Sequence, residues 1–308
     1  MAIRRAGESQ AEFVERILGP HKMGAIFAPA PPKVPRIRAA PPHIRATFPT
    51  SLDLRKYDAP IMDQGSLGSC CANGWIGTFE WLQNYINTAD YFAGSRLALY
   101  YWARAIDGDP TVDAGTTLPS CDTVTNNTGV AHEALWPYNE SEVNVAPPLT
   151  AQADAANHKT TASAALSDMA AATIKTALNA PHPVAFAFNV YEGYEDATSN
   201  GGKIGMPSGD VLGAHCNVVV GYDDSTANLD GSAGAWIVRN SWGTSWGDKG
   251  YGYMPYGYAT SGYMENGWVI TAETGLTPPS PTPTPTPSAA TPNINICVNV
   301  KEFQPGYQ

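Results

Sequence analysis

Long apolar runs are missing from this chain. No 18 consecutive apolar residues occur among its 308, so no helical membrane span is expected. Arg4 and Arg5 have no apolar core behind them, so no secretory signal is legible; the expectation is a cytoplasmic protein or one exported by a route not read at its N-terminus. Cysteine is sparse and odd in number. Cys70, Cys71, Cys121, Cys216 and Cys297 cannot build a dense disulfide framework; they leave room for one bridge, Cys121 to Cys297, with free thiols the expectation. No Cys-x-x-Cys occurs and the six histidines are scattered, so neither a metal nor a cofactor is expected. Basic residues are also few, 18 Lys and Arg against 28 Asp and Glu, and a net charge of −10 argues against stable binding of nucleic acid or anionic lipid.

Three short motifs stand out against this background: Gln64 to Ala72, with Cys70 and Cys71; Gly213-Ala214-His215; and Arg239-Asn240-Ser241-Trp242. They supply a thiol, an imidazole and an amide in the order Cys, His, Asn, and Cys70 precedes His215 by 145 residues and Asn240 by 170. Partners so far apart are expected on different lobes of one fold. After Ser69, apolar residues recur at Ala72, Trp75, Ile76, Phe79 and Leu82, the spacing of one helical face. Cys70 therefore falls in the first turn of a buried helix, where unpaired N–H groups and the helix dipole favour a thiolate. Residues 70 and 71 point about 100° apart on a helix, so only one of them can face a cleft.

These motifs resemble those of the papain-like (C1) cysteine peptidases. Gln64 to Ala72 is similar to the nucleophile motif, Gly213 to Asp223 to the histidine motif, and Trp236 to Tyr253 to the asparagine motif; Pro49 to Arg55 resembles the start of the mature enzyme. The resemblance covers roughly residues 49 to 270. It implies an α+β, two-lobed papain-like fold, with a helical lobe, a β-barrel-like lobe and a cleft between them. It also implies a cysteine endopeptidase acting on polypeptide substrates, with an exopeptidase or an acyl-transferring relative as the alternatives. By the same resemblance Cys70 is the nucleophile, His215 its base, Asn240 the orienter of the imidazole, and Gln64 an oxyanion donor beside the Cys70 N–H. Trp242 shields the His215–Asn240 contact; Gly115 lies on the cleft wall, and Ala187 and Ala214 line the main side-chain pocket, whose small residues admit a bulky apolar group. Leu67 stands where the family has a disulfide cysteine, and the partner expected just before Gly115 is missing too.

Along the chain, residues 1–48 combine a short helical pattern, Ala11 to Leu18, with a proline-rich extended tract. Residues 49–148 read as a helical lobe and 149–272 as a β lobe that begins with an alanine-rich helix around Thr161 to Leu178. Residues 273–292 read as a Pro/Thr-rich linker and 293–308 as a short tail carrying a strand-like run, Ile294 to Val300. The leader carries a net +5 and the rest of the chain −15. Such a leader is suited to fold back as an intramolecular inhibitor, its proline-rich strand in the cleft of a monomer.

Overall fold

The leader supplies the first helix, α1 (Gln10–Leu18), which starts at a reciprocal cap. The Ser9 hydroxyl accepts from the Glu12 N–H while the Glu12 carboxylate accepts from the Ser9 N–H. Its inner face buries Phe13 and Leu18, at 1 % and 3 % exposure. This computed structural model describes residues 5, 7–39 and 47–276, all within one unit running from Met1 to Pro278; Cys297 and the Ile294 to Val300 run lie outside the described residues.

Two short strands follow, β1 (Arg36–Ile37) and β2 (Ser51–Asp53), and then the central helix α2 (Cys70–Ile86). The face read from the sequence is buried, Trp75 and Ile76 completely, but so is the opposite side, including Asn73, Glu80 and Gln83. A helix buried all round lies inside the protein rather than on its surface. Helices α3 (Arg96–Asp107) and α4 (Leu118–Asn127) pack on it, capped by the Ser95 and Thr117 hydroxyls, and α4 has Pro119 in its first turn, where no donor is lost. A short helix, α5 (Leu149–Ala155), closes this half.

The second half is a sheet. It contains β3 (Thr160–Leu166), β4 (Val184–Tyr191), β5 (Val211–Ala227), β6 (Ala233–Arg239), β7 (Tyr251–Pro255) and β8 (Met264–Glu273), with α6 (Ala171–Asn179) after β3 and a single turn, α7 (Gly257–Thr260), before β8. Strand order is β1-β3-β8-β4-β5-β6-β7, all neighbours antiparallel except β1 with β3. Strand β2 reaches over from the helical half and pairs with β5, Leu52 opposite Tyr222.

The alanine-rich segment is the main departure from the sequence reading. Thr161 to Leu166 is strand, paired to β8 with Ala164 opposite Val269, and only Ala171 to Asn179 is helix. Small side chains let β3 lie flat between β8 and β1, and that tertiary pairing overrides the helical preference of alanine.

Glycine is required at one close contact within the helical half. Gly129 has φ +103°, and a Cβ there would lie 1.8 Å from the Ala155 carbonyl oxygen. Gly129→Ala should cost at least about 2 kcal/mol, from left-handed strain plus a backbone clash, and lower the melting temperature by several degrees. Calorimetry of the variant checks this, and an unchanged melting temperature contradicts it.

Candidate active site

Cys70 is the first residue of α2, His215 lies on β5, and Asn240 directly follows β6, the neighbour of β5. The Asn240 Oδ1 is 2.8 Å from His215 Nε2 and also accepts the Ser241 N–H at 2.8 Å. An oxygen acceptor fixes the proton on Nε2, which leaves the Nδ1 lone pair free. Nδ1 is buried without a hydrogen-bond partner, and the imidazole draws the Cys70 thiol pKa down. Trp242, fully buried, stacks on His215 with ring centres 4.5 Å apart.

The thiol does not have the lowered pKa expected from its helix position. Cys70 is completely buried, and burial pushes its pKa well above the ordinary thiol value, more than His215 pulls it down. Cys71 lies beside Cys216 of β5, so the neighbouring thiol is directed into the protein, as the helical register requires. Cys121 and Cys216 are free and buried.

Gln64 is held from behind by Ser241. The Ser241 hydroxyl donates to Gln64 Oε1 at 2.6 Å and the Gln64 N–H donates to the Ser241 carbonyl at 2.8 Å, while Nε2 donates to the Leu67 carbonyl at 2.7 Å. Sequence reasoning missed Ser241, although its place beside Asn240 was in view. It also missed Asp113. One Asp113 carboxylate oxygen accepts from the Gly68 N–H at 3.0 Å and from the Tyr100 hydroxyl at 2.6 Å, while that hydroxyl accepts the Gly115 N–H at 2.9 Å. This network ties the loop before Cys70 to the loop bearing Gly115.

The leader covers the site. Gln64 Nε2 donates to the Lys22 carbonyl at 2.8 Å, and Lys22 Nζ is 2.5 Å from Asp113 Oδ2. The Thr116 N–H donates to the Gly24 carbonyl at 2.9 Å, the Ala25 N–H to the Ala214 carbonyl at 3.1 Å, and the Ile26 N–H to the Thr116 carbonyl at 3.0 Å. A Cβ on Gly115 would lie 2.2 Å from the Gly24 oxygen, so that wall must be glycine for the leader to lie against it. His21 stacks on the face of Trp242 with ring centres 4.8 Å apart and planes 9° apart. The segment in the cleft is thus residues 21–26. The proline-rich tract expected there runs on to β1 at the edge of the sheet, because a chain short of N–H donors satisfies fewer of the cleft's acceptors.

Among the expected substrate-binding residues, Gly115, Ala214 and Trp242 meet the leader directly, whereas Ala187 is 1 % exposed within the sheet, opposite Cys216. Scattered histidines do meet elsewhere: His132, Asp154 and His158 gather where the helical half joins β3, a grouping hidden in the sequence because His132 is 22 residues from Asp154.

Residues 48–271 match the family described as papain family cysteine protease. An uncharacterized peptidase C1-like protein of Acanthamoeba polyphaga mimivirus is 30 % identical over 205 residues, 63 % of each chain. A cathepsin B-like protein of Giardia intestinalis is 30 % identical over 232 residues, 70 % of this chain and 73 % of its own. The chain spans 43 % of a probable cysteine protease of Arabidopsis thaliana and 61 % of mouse pro-cathepsin H. Among solved structures, xylellain, a cysteine protease from Xylella fastidiosa, superposes with a TM-score of 0.71 at 26 % identity, covering 81 % of this chain and 96 % of that one. With the thiol, imidazole and amide motifs all inside the matched stretch, the chain belongs to the papain family of cysteine proteases.

Proposed function

We propose that the chain is a cysteine endopeptidase acting through Cys70, His215 and Asn240, restrained by its own N-terminal segment. The observation that carries this reading is the Lys22 carbonyl on Gln64 Nε2, above a buried Cys70. A peptide carbonyl rests on the donor that a developing oxyanion needs. The leader also passes through the groove without ending in it, as an internal segment of a substrate would lie.

The chemistry follows from the site. Once the leader leaves, Cys70 Sγ gives its proton to His215 Nδ1 and attacks a carbonyl carbon, while Asn240 holds Nε2–H and so the ring orientation. The carbonyl oxygen takes the negative charge against Gln64 Nε2–H and the Cys70 N–H, each donor lowering the barrier by roughly 3 kcal/mol. The imidazolium then protonates the departing amine, which leaves an acyl-thioester. Water, deprotonated by His215, hydrolyses that ester and returns the thiol. Ser241 contributes by keeping the Gln64 amide from flipping.

Cys70→Ala should abolish peptide hydrolysis and labelling by an epoxide peptidyl inhibitor, whereas Cys71→Ser should keep most of both. Asn240→Ala should slow turnover less than His215→Ala, because it removes the orienter and leaves the base. Mapping the labelled cysteine and comparing kcat of the four variants tests the assignment; labelling at Cys71 contradicts it.

The leader is held mainly by apolar anchors. Burying Phe13 and Leu18 contributes about 1.5–3 kcal/mol each. The Lys22–Asp113 pair, with Lys22 46 % exposed, contributes about 0–1 kcal/mol. A chain beginning at Phe48, and the intact chain with Phe13→Ala, should therefore both hydrolyse a fluorogenic peptide faster than the intact parent, and their Cys70 should react faster with iodoacetamide at neutral pH. Salt alone should give the parent a much smaller gain. Equal alkylation rates in all three proteins contradict the restraint.

His21 adds a pH dependence. Burial holds its pKa below the ordinary histidine value, a shift only partly opposed by Asp63. The docked leader thus favours neutral His21, and docking weakens as pH falls through and below about 6.5, where the free leader takes up the proton first. The activity of the intact chain, divided by that of the truncated one, should rise from pH 7 to about pH 5, and His21→Phe, which keeps the stack, should flatten the rise. A ratio independent of pH in the parent contradicts this.

A further inference from the structure

Away from the cleft, three chain segments are stitched into a frame. The Ser95 N–H donates to the Ala131 carbonyl at 2.7 Å, the Glu133 N–H to the Ala93 carbonyl at 2.7 Å, and the Val130 N–H to the His158 carbonyl at 2.8 Å. Three side chains converge on this frame. His132 Nδ1 is 2.8 Å from Asp154 Oδ2, and His158 Nε2 is 3.8 Å from Asp154 Oδ1. One donor atom from each residue lies within 4.8 Å of the other two. Their side chains are 38 %, 23 % and 28 % exposed, so the group is open to solvent yet held on most sides.

We propose that His132, Asp154 and His158 form a binding site for one divalent transition-metal ion of the Zn2+ class. Two imidazole nitrogens and a carboxylate oxygen suit Zn2+, Ni2+ or Cu2+; Ca2+ and Mg2+ call for oxygen ligands alone. In tetrahedral geometry, donors about 2.1 Å from one ion lie about 3.4 Å apart, so the widest of the three separations needs to close by at most about 1.4 Å. The frame supplies the rest. Asp154 lies in the last turn of α5 and His158 in the tight turn just beyond it, where the Asn157 N–H donates to the Asp154 carbonyl at 3.0 Å and the His158 N–H to the Ala155 carbonyl at 2.9 Å. The His132 N–H donates to Asp154 Oδ2 at 2.9 Å and steadies the carboxylate. Phe92 lies against both rings, with centres 4.0 Å from His132 and 4.6 Å from His158. Metal on His132 Nδ1 places that ring's proton on Nε2. Three protein donors leave a fourth position to water. The cleft lies elsewhere, so the ion acts as a staple between the segment entering β3 and the loop that continues to Tyr138, whose hydroxyl donates to the Gln64 carbonyl at 2.9 Å.

The test uses the full chain carrying Cys70→Ala, which removes the cleft thiol as a competing ligand, after dialysis against chelator. Calorimetric titration with ZnCl2 should give one saturable site, and Zn2+ in excess should raise the melting temperature. Adding His132→Gln or His158→Gln should weaken binding at least about tenfold and remove the thermal shift. Zn2+ should also slow carbethoxylation of His132 and His158 in the Cys70→Ala chain, mapped by mass spectrometry; this readout decides the matter if a glutamine variant fails to fold. Absence of saturable binding, undiminished binding by both glutamine variants relative to the Cys70→Ala parent, or unprotected histidines would each overturn the proposal, leaving a hydrogen-bonded His–Asp–His group.

Discussion

The close approach of α2 to β5 is the constraint on which the site depends. A Cβ on Gly74 would lie 3.0 Å from Cys216 Sγ, and one on Gly77 2.7 Å from Arg239 Nη1. Side chains at those two positions would require Cys216 of β5 or the end of the Arg239 side chain of β6 to give way, so small residues let the helix lie close to the sheet. Cys70 and His215 belong to opposite halves, so no local sequence preference sets their separation. It is set by how deeply the strand's side chains sink into the glycine face of the helix. That also explains burial around the whole circumference of α2: a helix that carries the thiol to the sheet must be wrapped by α3 and α4 on its other sides.

The leader answers the same geometry from the opposite direction. Its glycine, Gly24, lies between two glycines of the cleft: a Cβ on Gly24 would lie 2.0 Å from the Gly68 oxygen, and one on Gly115 2.2 Å from the Gly24 oxygen. Backbone therefore lies on backbone, and the ladder of hydrogen bonds from Gly24 to Ile26 needs no particular side chains. Charge is the smaller contribution. The contrast between a +5 leader and a −15 body is real, but the pair that crosses the cleft is half in water, and Phe13 and Leu18 hold the helix in place.

The proposed catalytic residues were legible because each sits in a dense local motif: glycines before Cys70, Gly213 before His215, Ser241 and Trp242 after Asn240. The leader helix was legible as the pattern Ala11 to Leu18, though its cap at Ser9 and Glu12 was not read. What could not be read were the features made by pairing. Thr161 to Leu166 becomes strand only because β8 and β1 lie on either side. The raised pKa of Cys70 arises from its complete burial, which outweighs the downward pull of His215 and is set by packing distant in sequence. His132 gives no sign in the sequence of the Asp154 and His158 it will meet.

The missing disulfide also has a counterpart. Asp113 joins the loop of Gly68 to Tyr100, and through it to Gly115, by hydrogen bonds. A sulfur bridge at that place would set two demands against each other, since reductant keeps a nucleophilic thiol alive and opens a bridge. Here the wall of the cleft is built from groups that thiols and thiolates do not attack. Reducing conditions strong enough to maintain the Cys70 thiol therefore leave that wall intact.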